Sequence, residues 1–381
     1  MILLCLTAGQ LFVGLADPYS GMDYRTYKAG VQCLIHGYDP YPVSNITQYS
    51  GEEVVYGYPP HTLLFYWFLQ FFFILQNIRI YYLFLVAFLI TSGYLMVTLD
   101  KKPEFLFCST LLATGFISTY WNFYNGNKDI LYLFLFVCIF YLLVKEKFWQ
   151  SSIVMGLMGS YTLFTLPFTA LYLVVRRPVM DRIKYIVLSI GVVVVIFLVT
   201  WVVNPGLFMS YIKMLEGDKT PFFESPGYLT PTPYLMFEYI LNQTSYIFTI
   251  PVAIIFLGYI CLVIGACWYV IRENQEKPLI VYSFVMLSIF MVIPRIKPYD
   301  FIILVLPLYF IFKDCSDKIK IVALTVISML PFCAFYQIHH VGIFTNLTFL
   351  MYSYGQTISL LLVFAIAFAL EFYKSKYLPP S

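Results

Sequence analysis

The chain has 381 residues, of which 61% are hydrophobic and only 11% are charged, and its net charge is +3. A water-soluble domain cannot bury that much apolar surface, and long apolar runs are typical of membrane helices. The composition therefore excludes a soluble enzyme and predicts an all-α, polytopic helical membrane protein. We expect no nucleic-acid partner.

Twelve apolar segments without Asp, Glu, Lys or Arg are the predicted membrane helices. They cover residues 2–16, 61–76, 81–98, 105–117, 130–144, 152–175, 185–203, 246–271, 278–293, 301–312, 321–336 and 347–370. Several are shorter than the roughly 20 residues that cross a bilayer. We therefore expect about 11–13 membrane segments in one domain over residues 1–381, and some of these segments should not cross fully.

The cations divide unequally between the two sides of the predicted helices. If the long polar loops 17–60 and 204–245 are external, 15 of the 23 cations lie on the opposite face, which the positive-inside rule makes cytoplasmic. The membrane would be the plasma membrane or the endoplasmic reticulum. The fifteen are Lys101, Lys102, Lys145, Lys147, Arg176, Arg177, Arg182, Lys184, Arg272, Lys277, Lys313, Lys318, Lys320, Lys374 and Lys376.

Two places conflict with a simple alternation of crossings. Segments 61–76 and 81–98 together would return the chain to the external side, although Lys101 and Lys102 favour the cytoplasm, so one of the two should not span. The single segment 152–175 lies between two basic stretches. We expect a hairpin there, broken near Pro167, because proline interrupts a helix.

The first polar loop contains a predicted amphipathic helix of about 13 residues. Its apolar face, formed by Tyr24, Tyr27, Val31, Leu34 and Ile35, suits a position in the membrane interface. Asp23 stands at the N-terminal edge of this helix. Two interpretations stay open: Asp23 is the N-cap, a position that Asp favours, or it is a carboxylate held where lipid-linked substrates present their head groups.

A series of motifs resembles a known family. The order Asp-Tyr-x-x-Tyr-x-Ala-Gly from residue 23, Gly-Tyr-Asp-Pro-Tyr from residue 37 and Tyr-Pro-Pro from residue 58 resembles polyprenol-phosphate-mannose-dependent mannosyltransferases, glycosyltransferase family 87. Residues 125–129, Asn-Gly-Asn-Lys-Asp, are similar to that family's Gly-Gln-Asn loop. Residues 156–177 resemble its glycine-rich segment, proline-containing helix and basic turn. The first loop is also similar to that of glycosylphosphatidylinositol mannosyltransferases, so we expect a C-type glycosyltransferase fold.

The resemblance implies a transferase that moves a hexose, with mannose as the first candidate, from polyprenyl phosphate to a lipid or glycan acceptor on the external or lumenal face. An inverting single displacement needs one base for the acceptor hydroxyl, unlike the paired carboxylates of retaining hydrolases. The resemblance implies Asp23 as that base. The motifs that carry it add Asn125, Tyr58 and His61 to the candidate substrate-binding residues.

Cations must also stabilise the leaving phosphate. We predict Arg295 and Lys297 for this role, with Lys128 next, although external cations near helix ends are more often solvated or bound to lipid head groups. His339 and His340 could orient the donor, but a surface histidine pair is more often incidental. The sequence contains no zinc or nucleotide-binding signature, so we predict no metal and no cofactor.

Two other classes of membrane protein compete with the enzyme. A transporter or lipid flippase usually carries ionisable residues inside its spans, often with inverted repeats, and neither is seen in this sequence. A non-catalytic membrane subunit would have no need of Asp23 together with external cations. Substitution of Asp23 separates both classes from a transferase.

Overall fold

A computed structural model describes residues 21–99, 102–216, 231–243, 252–293, 296–331 and 346–377. The predicted first helix, 2–16, lies outside these residues. Every regular element in the described ranges is helical. The helices are α1 Met22–Ile35, α2 Val43–Ser50, α3 Thr62–Phe71, α4 Ile78–Thr98, α5 Phe105–Thr114, α6 Ser118–Asn125, α7 Asp129–Val144, α8 Phe148–Tyr161, α9 Val179–Val203, α10 Pro205–Leu215, α11 Pro233–Gln243, α12 Val252–Glu273, α13 Pro278–Val292, α14 Val305–Phe312, α15 Asp317–Leu324 and α16 Asn346–Tyr377.

Four of these helices are long and apolar enough to cross a bilayer: Ile78–Thr98, Val179–Val203, Val252–Glu273 and Ser353–Lys376. Each has at least the roughly 20 residues that a crossing requires. Five further apolar helices have 10–17 residues: Thr62–Phe71, Asp129–Val144, Leu163–Val174, Pro278–Val292 and Asp300–Phe312. The helical polytopic fold is therefore confirmed, while a count of 11–13 membrane segments stays a prediction.

The described residues form two compact units. The first takes them from 21–94, 120–172 and 177–216, and the second from 95–99, 102–119, 173–176, 231–243, 252–293, 296–331 and 346–377. In the first unit α1 packs against α2 and α3, and α9 packs along α8. Asp23, Tyr58, His61, Asn125 and Lys128 all belong to this unit.

The first-loop helix is confirmed, but the predicted environment of its apolar face is wrong. Tyr24, Tyr27 and Val31 are buried against the protein at 5%, 0% and 0% exposure, and only Ile35 is well exposed. α2 and α3 cover this face, so these three side chains do not contact lipid. α1 therefore packs against other helices of the first unit through this face.

Segment 61–76 forms a short helix. α3 has only ten residues, about 15 Å at 1.5 Å per residue, against a hydrocarbon core of about 30 Å. The helix ends at Phe71, and Phe73 adopts a left-handed φ of 62°, which turns the chain before α4 begins. Of this pair, only α4 has the length that a crossing requires.

The helix break that the sequence predicts near Pro167 occurs at another residue. α8 ends at Tyr161, and Thr162 is extended, with φ −154° and ψ 114°. Pro167 lies inside the following 3₁₀ helix, Leu163–Val174. The α-helix therefore breaks at Thr162, five residues before the proline.

Small residues allow α8 and α9 to approach closely. The Oγ of Ser189 donates to the carbonyl of Ser152 at 3.0 Å. A Cβ on Gly156 would lie 2.5 Å from the Ser189 carbonyl. Such contacts between small residues are typical of membrane helices. They fix the end of α8, which borders the candidate site.

Candidate active site

The N-terminus of α1 positions Asp23. The N-cap is Gly21, in the left-handed region with φ 79°, and its N–H donates to the carbonyl of Tyr124 at 2.7 Å. Asp23 is the second residue of the helix, so it does not occupy the N-cap position. The N-cap interpretation is therefore wrong. A carboxylate in the first turn is still favoured by the helix dipole.

The loop between α6 and α7 lies directly against this helix start. Gly126 has φ 65°, and a Cβ there would lie 2.8 Å from the Cβ of Tyr24. Only glycine combines that conformation with so close an approach. The next residue, Asn127, donates from Nδ2 to Oδ2 of Asp23 at 2.8 Å. The motif at 125–129 and the motif beginning at Asp23 therefore meet.

Asn127 is held on both sides. Its Oδ1 accepts the backbone N–H of Asp129 at 2.9 Å, and its own N–H donates to the carbonyl of Asn122 at 2.8 Å. Neither Asn127 nor Asp129 was predicted as a site residue, although both stand in the motif at residues 125–129. The pattern Asn-x-Asp before a helix was the available signal. Asn125, which was assigned a role, is half-buried at the end of α6.

Lys128 is surrounded by aromatic rings. Its Nζ lies 3.9 Å from the ring centroid of Tyr58, 5.1 Å from that of Tyr132 and 5.6 Å from that of Tyr27. The side chain is 4% exposed. A desolvated ammonium over aromatic faces is stabilised by cation–π attraction. The structure therefore brings together Lys128 and Tyr58, both predicted substrate-binding residues.

The tyrosine hydroxyls here remain protonated. Burial raises the pKa of Tyr58 well above its usual value; the negative charge of Asp23 and, to a smaller extent, of Asp129 raises it further, against the hydrogen bond with Tyr27. The two hydroxyls are 3.2 Å apart. Burial also raises the pKa of Tyr27. Both side chains can therefore act as neutral hydrogen-bond donors beside the carboxylates.

Two more hydroxyls belong to the same cluster. Tyr66 stacks on Tyr27 with ring centroids 4.4 Å apart, and the ring of Tyr81 lies 5.3 Å from that of Tyr24. Among the described residues, the buried hydroxyls of Tyr66 and Tyr81 have no hydrogen-bond partner. A buried polar atom without a partner costs free energy, so these hydroxyls suit a polar ligand.

An apolar groove runs alongside this cluster. It has a volume of about 270 Å³, and Lys128 is the one charged residue among those that line it. Its walls come from α3, α4, α7 and α8. They consist of Phe65, Phe84, Phe88, Lys128, Leu131, Tyr132, Phe134, Leu135, Leu157, Met158 and Tyr161.

His61 makes contacts of a structural kind. Its Nε2 donates to the carbonyl of Ser160 at 2.9 Å, and Nδ1 lies 3.4 Å from Oγ1 of Thr200. Burial lowers the pKa of His61 to about 4, against the effect of the hydrogen bond to Ser160. The ring is therefore neutral at physiological pH. With both nitrogens facing protein atoms, His61 ties the start of α3 to the end of α8, which favours a structural role over substrate binding.

The remaining predicted residues belong to other parts of the chain. Lys297 is in the second unit, where its backbone N–H donates to the Asp300 carboxylate at 2.6 Å. Arg295, His339 and His340 lie outside the described residues. Across the described ranges, no three His, Cys, Asp or Glu side chains are grouped closely enough to hold a metal ion.

Long apolar helices with a partly buried cluster of carboxylates, a lysine and tyrosines define an integral membrane protein with a polar site. Residues 56–294 match the model of glycosyltransferase family 87. The match covers more than half of the chain, and the protein belongs to this family, as its motifs predicted. The protein is therefore a membrane glycosyltransferase. The match includes Tyr58 and the 125–129 motif and begins after Asp23. No curated protein sequence matches the chain.

Proposed function

We propose that the protein transfers a hexose, with mannose as the first candidate, from polyprenyl phosphate to a hydroxyl of a lipid or glycan acceptor. The observation that carries this proposal is the position of Lys128, which lines an apolar groove and is adjacent in sequence to Asn127, the partner of Asp23. A polyprenyl-phosphate sugar has the matching sequence of parts: a hydrocarbon chain, a phosphate and a sugar.

In this proposal each part of the donor contacts a specific part of the protein. The groove takes the first isoprene units, because burying hydrocarbon against aromatic and aliphatic walls is favourable. Lys128 forms a charge-assisted contact with the phosphate, which is stronger than a neutral hydrogen bond. The hydroxyls of Tyr66 and Tyr81 and the aromatic faces beside them are available to the sugar.

The transfer itself is a single displacement with inversion. The acceptor oxygen attacks the anomeric carbon while Asp23 accepts its proton. The bond between the anomeric carbon and the phosphate oxygen breaks, and its electron pair leaves with the phosphate, which Lys128 stabilises. Arg295, Lys297, His339 and His340 keep the donor-binding roles that the sequence predicts for them.

We also propose that this chemistry takes place on the external or lumenal side. α3 is too short to cross, so α4 carries the chain over the membrane to Lys102, on the cation-rich face. Residues 21–60 then lie on the opposite side. A transporter or flippase needs no such base and leaving-group cation, and the family membership does not favour it.

The donor can be tested with purified protein in liposomes. Radiolabelled mannosyl polyprenyl phosphate and radiolabelled nucleotide mannose are supplied separately, each with a mixed membrane-lipid and glycan extract as acceptor. We expect labelled product and released polyprenyl phosphate from the lipid donor only. Turnover with the nucleotide sugar alone contradicts the proposal.

A further inference from the structure

Asn127 uses both ends of its side-chain amide within the protein. The NH₂ group faces Oδ2 of Asp23 at 2.8 Å, and the carbonyl oxygen faces the N–H of Asp129 at 2.9 Å. Only this orientation fits, because a carboxylate accepts and an N–H donates. The side chain is 1% exposed. Asn127 is therefore a hydrogen-bond donor to one oxygen of Asp23 that is fixed in orientation and shielded from solvent.

Such a donor has two effects on a general base. It fixes the direction of the carboxylate, and catalysis is sensitive to small misplacements of a reacting group. It also favours the ionised form, because a hydrogen bond to a charged carboxylate stabilises that charge. Asp129, whose backbone N–H bonds the same amide, brings a second carboxyl group into the cluster.

We propose that Asn127 is a positioning residue, which aims the Asp23 carboxylate at the acceptor hydroxyl and keeps it ionised at neutral pH. This inference rests on the proposed role of Asp23 as the base. Asn127 does not touch the substrate in this scheme and acts through Asp23. The charged and titratable groups of the cluster around Asp23 are Tyr27, Tyr58, Tyr81, Lys128 and Asp129.

The variant Asn127→Asp tests this role with little change of shape. It replaces the donor with a second carboxyl oxygen facing Asp23, and like charges at this distance disfavour ionisation. We expect the acidic limb of the profile of kcat/KM against pH to move upward by about one pH unit or more. Activity is then lost at neutral pH and partly recovered at higher pH. Asn204→Asp, at an exposed helix cap that Asp also suits, should leave the profile unchanged.

The possible outcomes separate this inference from the proposed function. An unchanged acidic limb in folded Asn127→Asp overturns the role of Asn127, even when Asp23→Asn is inactive. Near-normal turnover by Asp23→Asn overturns the proposed base, and this inference with it. If Asn127→Asp does not accumulate as folded protein, Asn127→Ala takes its place: loss of the donor should raise the same limb and lower kcat more than it raises KM, and an unmoved limb overturns the role.

Discussion

Asn127 donates a hydrogen bond of 2.8 Å to Asp23 across a separation of 104 residues. This contact joins the start of the first-loop helix α1 to the loop that precedes α7. Gly21 and Gly126 make the approach possible, since both adopt positive φ at the contact. A base on a helix and its orienting partner on a second element form a more rigid site than a base on a free loop.

Lys128 should contribute to donor use through its charge. In Lys128→Met the apolar stem is kept and the ammonium is lost. We expect kcat/KM for the polyprenyl-phosphate donor to fall by about 10- to 100-fold, because hydrogen bonds to charged groups contribute about 1.5–3 kcal/mol. Initial rates in liposomes measure this. Lys213→Met, at an exposed position on α10, is the matched control, and an equal kcat/KM in both variants would remove Lys128 from the phosphate site.

The apolar groove should distinguish donors by chain length. Leu135→Trp fills the groove from α7, so long-chain polyprenyl donors should lose affinity while a donor with one isoprene unit is used as before. Competition between the two donors measures the ratio of their kcat/KM values directly. Leu83→Trp adds the same side chain to α4 at a position with 69% exposure and should not change the ratio. A long-chain preference that survives Leu135→Trp places the lipid tail elsewhere.

His61 should make stability depend on pH. Its pKa in the folded protein is about 4, below the value of about 6.5 for a histidine in an unfolded chain. The unfolded chain therefore binds more protons between these values, and the free energy of unfolding rises as the pH rises from about 4 to 6.5. His61→Gln should lose this part of the pH dependence, so wild-type Tm should fall more steeply on acidification than the Tm of the variant.

Thermal unfolding in detergent at pH 4.5, 5.5 and 7 measures how steeply Tm depends on pH in the wild type and in His61→Gln. His36→Gln changes an exposed histidine of the same unit and serves as the control, with a slope like that of the wild type. Parallel curves for His61→Gln and wild type would mean that the ring takes up its proton without penalty in the folded state.

The sidedness of the first loop can be tested with two single cysteines. Ser44 on α2 and Lys376 near the end of α16 are both exposed. In intact cells that carry otherwise cysteine-free protein, we expect an impermeant maleimide to label Ser44→Cys and to spare Lys376→Cys, because of the cation asymmetry. Labelling of position 376 without position 44 would reverse the topology.

Much of the fold could be predicted because long apolar runs have few solutions in a membrane. Helices such as Val179–Val203 follow from composition alone. Backbone detail could not be predicted in the same way. The end of α3 depends on the positive φ of Phe73, a conformation that no local signal marks in an aromatic residue. The break at Thr162 likewise precedes the proline that the sequence pattern favoured.

The site could be predicted in part. Motif order indicated Asp23 and Tyr58, and the need for a cation beside the phosphate indicated Lys128; the structure places all three in one unit. Hydrogen-bond partners across 104 residues are not contained in local pattern, so the contact of Asn127 was missed. His61 was chosen because it adjoins a motif, and its contacts with Ser160 and Thr200 became visible only in the packing of α8 and α9.

The central claim is that Asp23 accepts the proton of the acceptor hydroxyl, and Asp23→Asn tests it most directly. The amide is nearly isosteric with the carboxylate, and its oxygen can still accept the hydrogen bond from Asn127, so we expect the fold to be kept. Asp317→Asn, an exposed carboxylate in the first turn of α15, is the control. Single-turnover rates with bound donor should fall by about 10²–10⁴-fold in Asp23→Asn, with donor affinity and Tm nearly unchanged. A single-turnover rate within a few fold of wild type would contradict the claim and pass the role of base to another carboxylate.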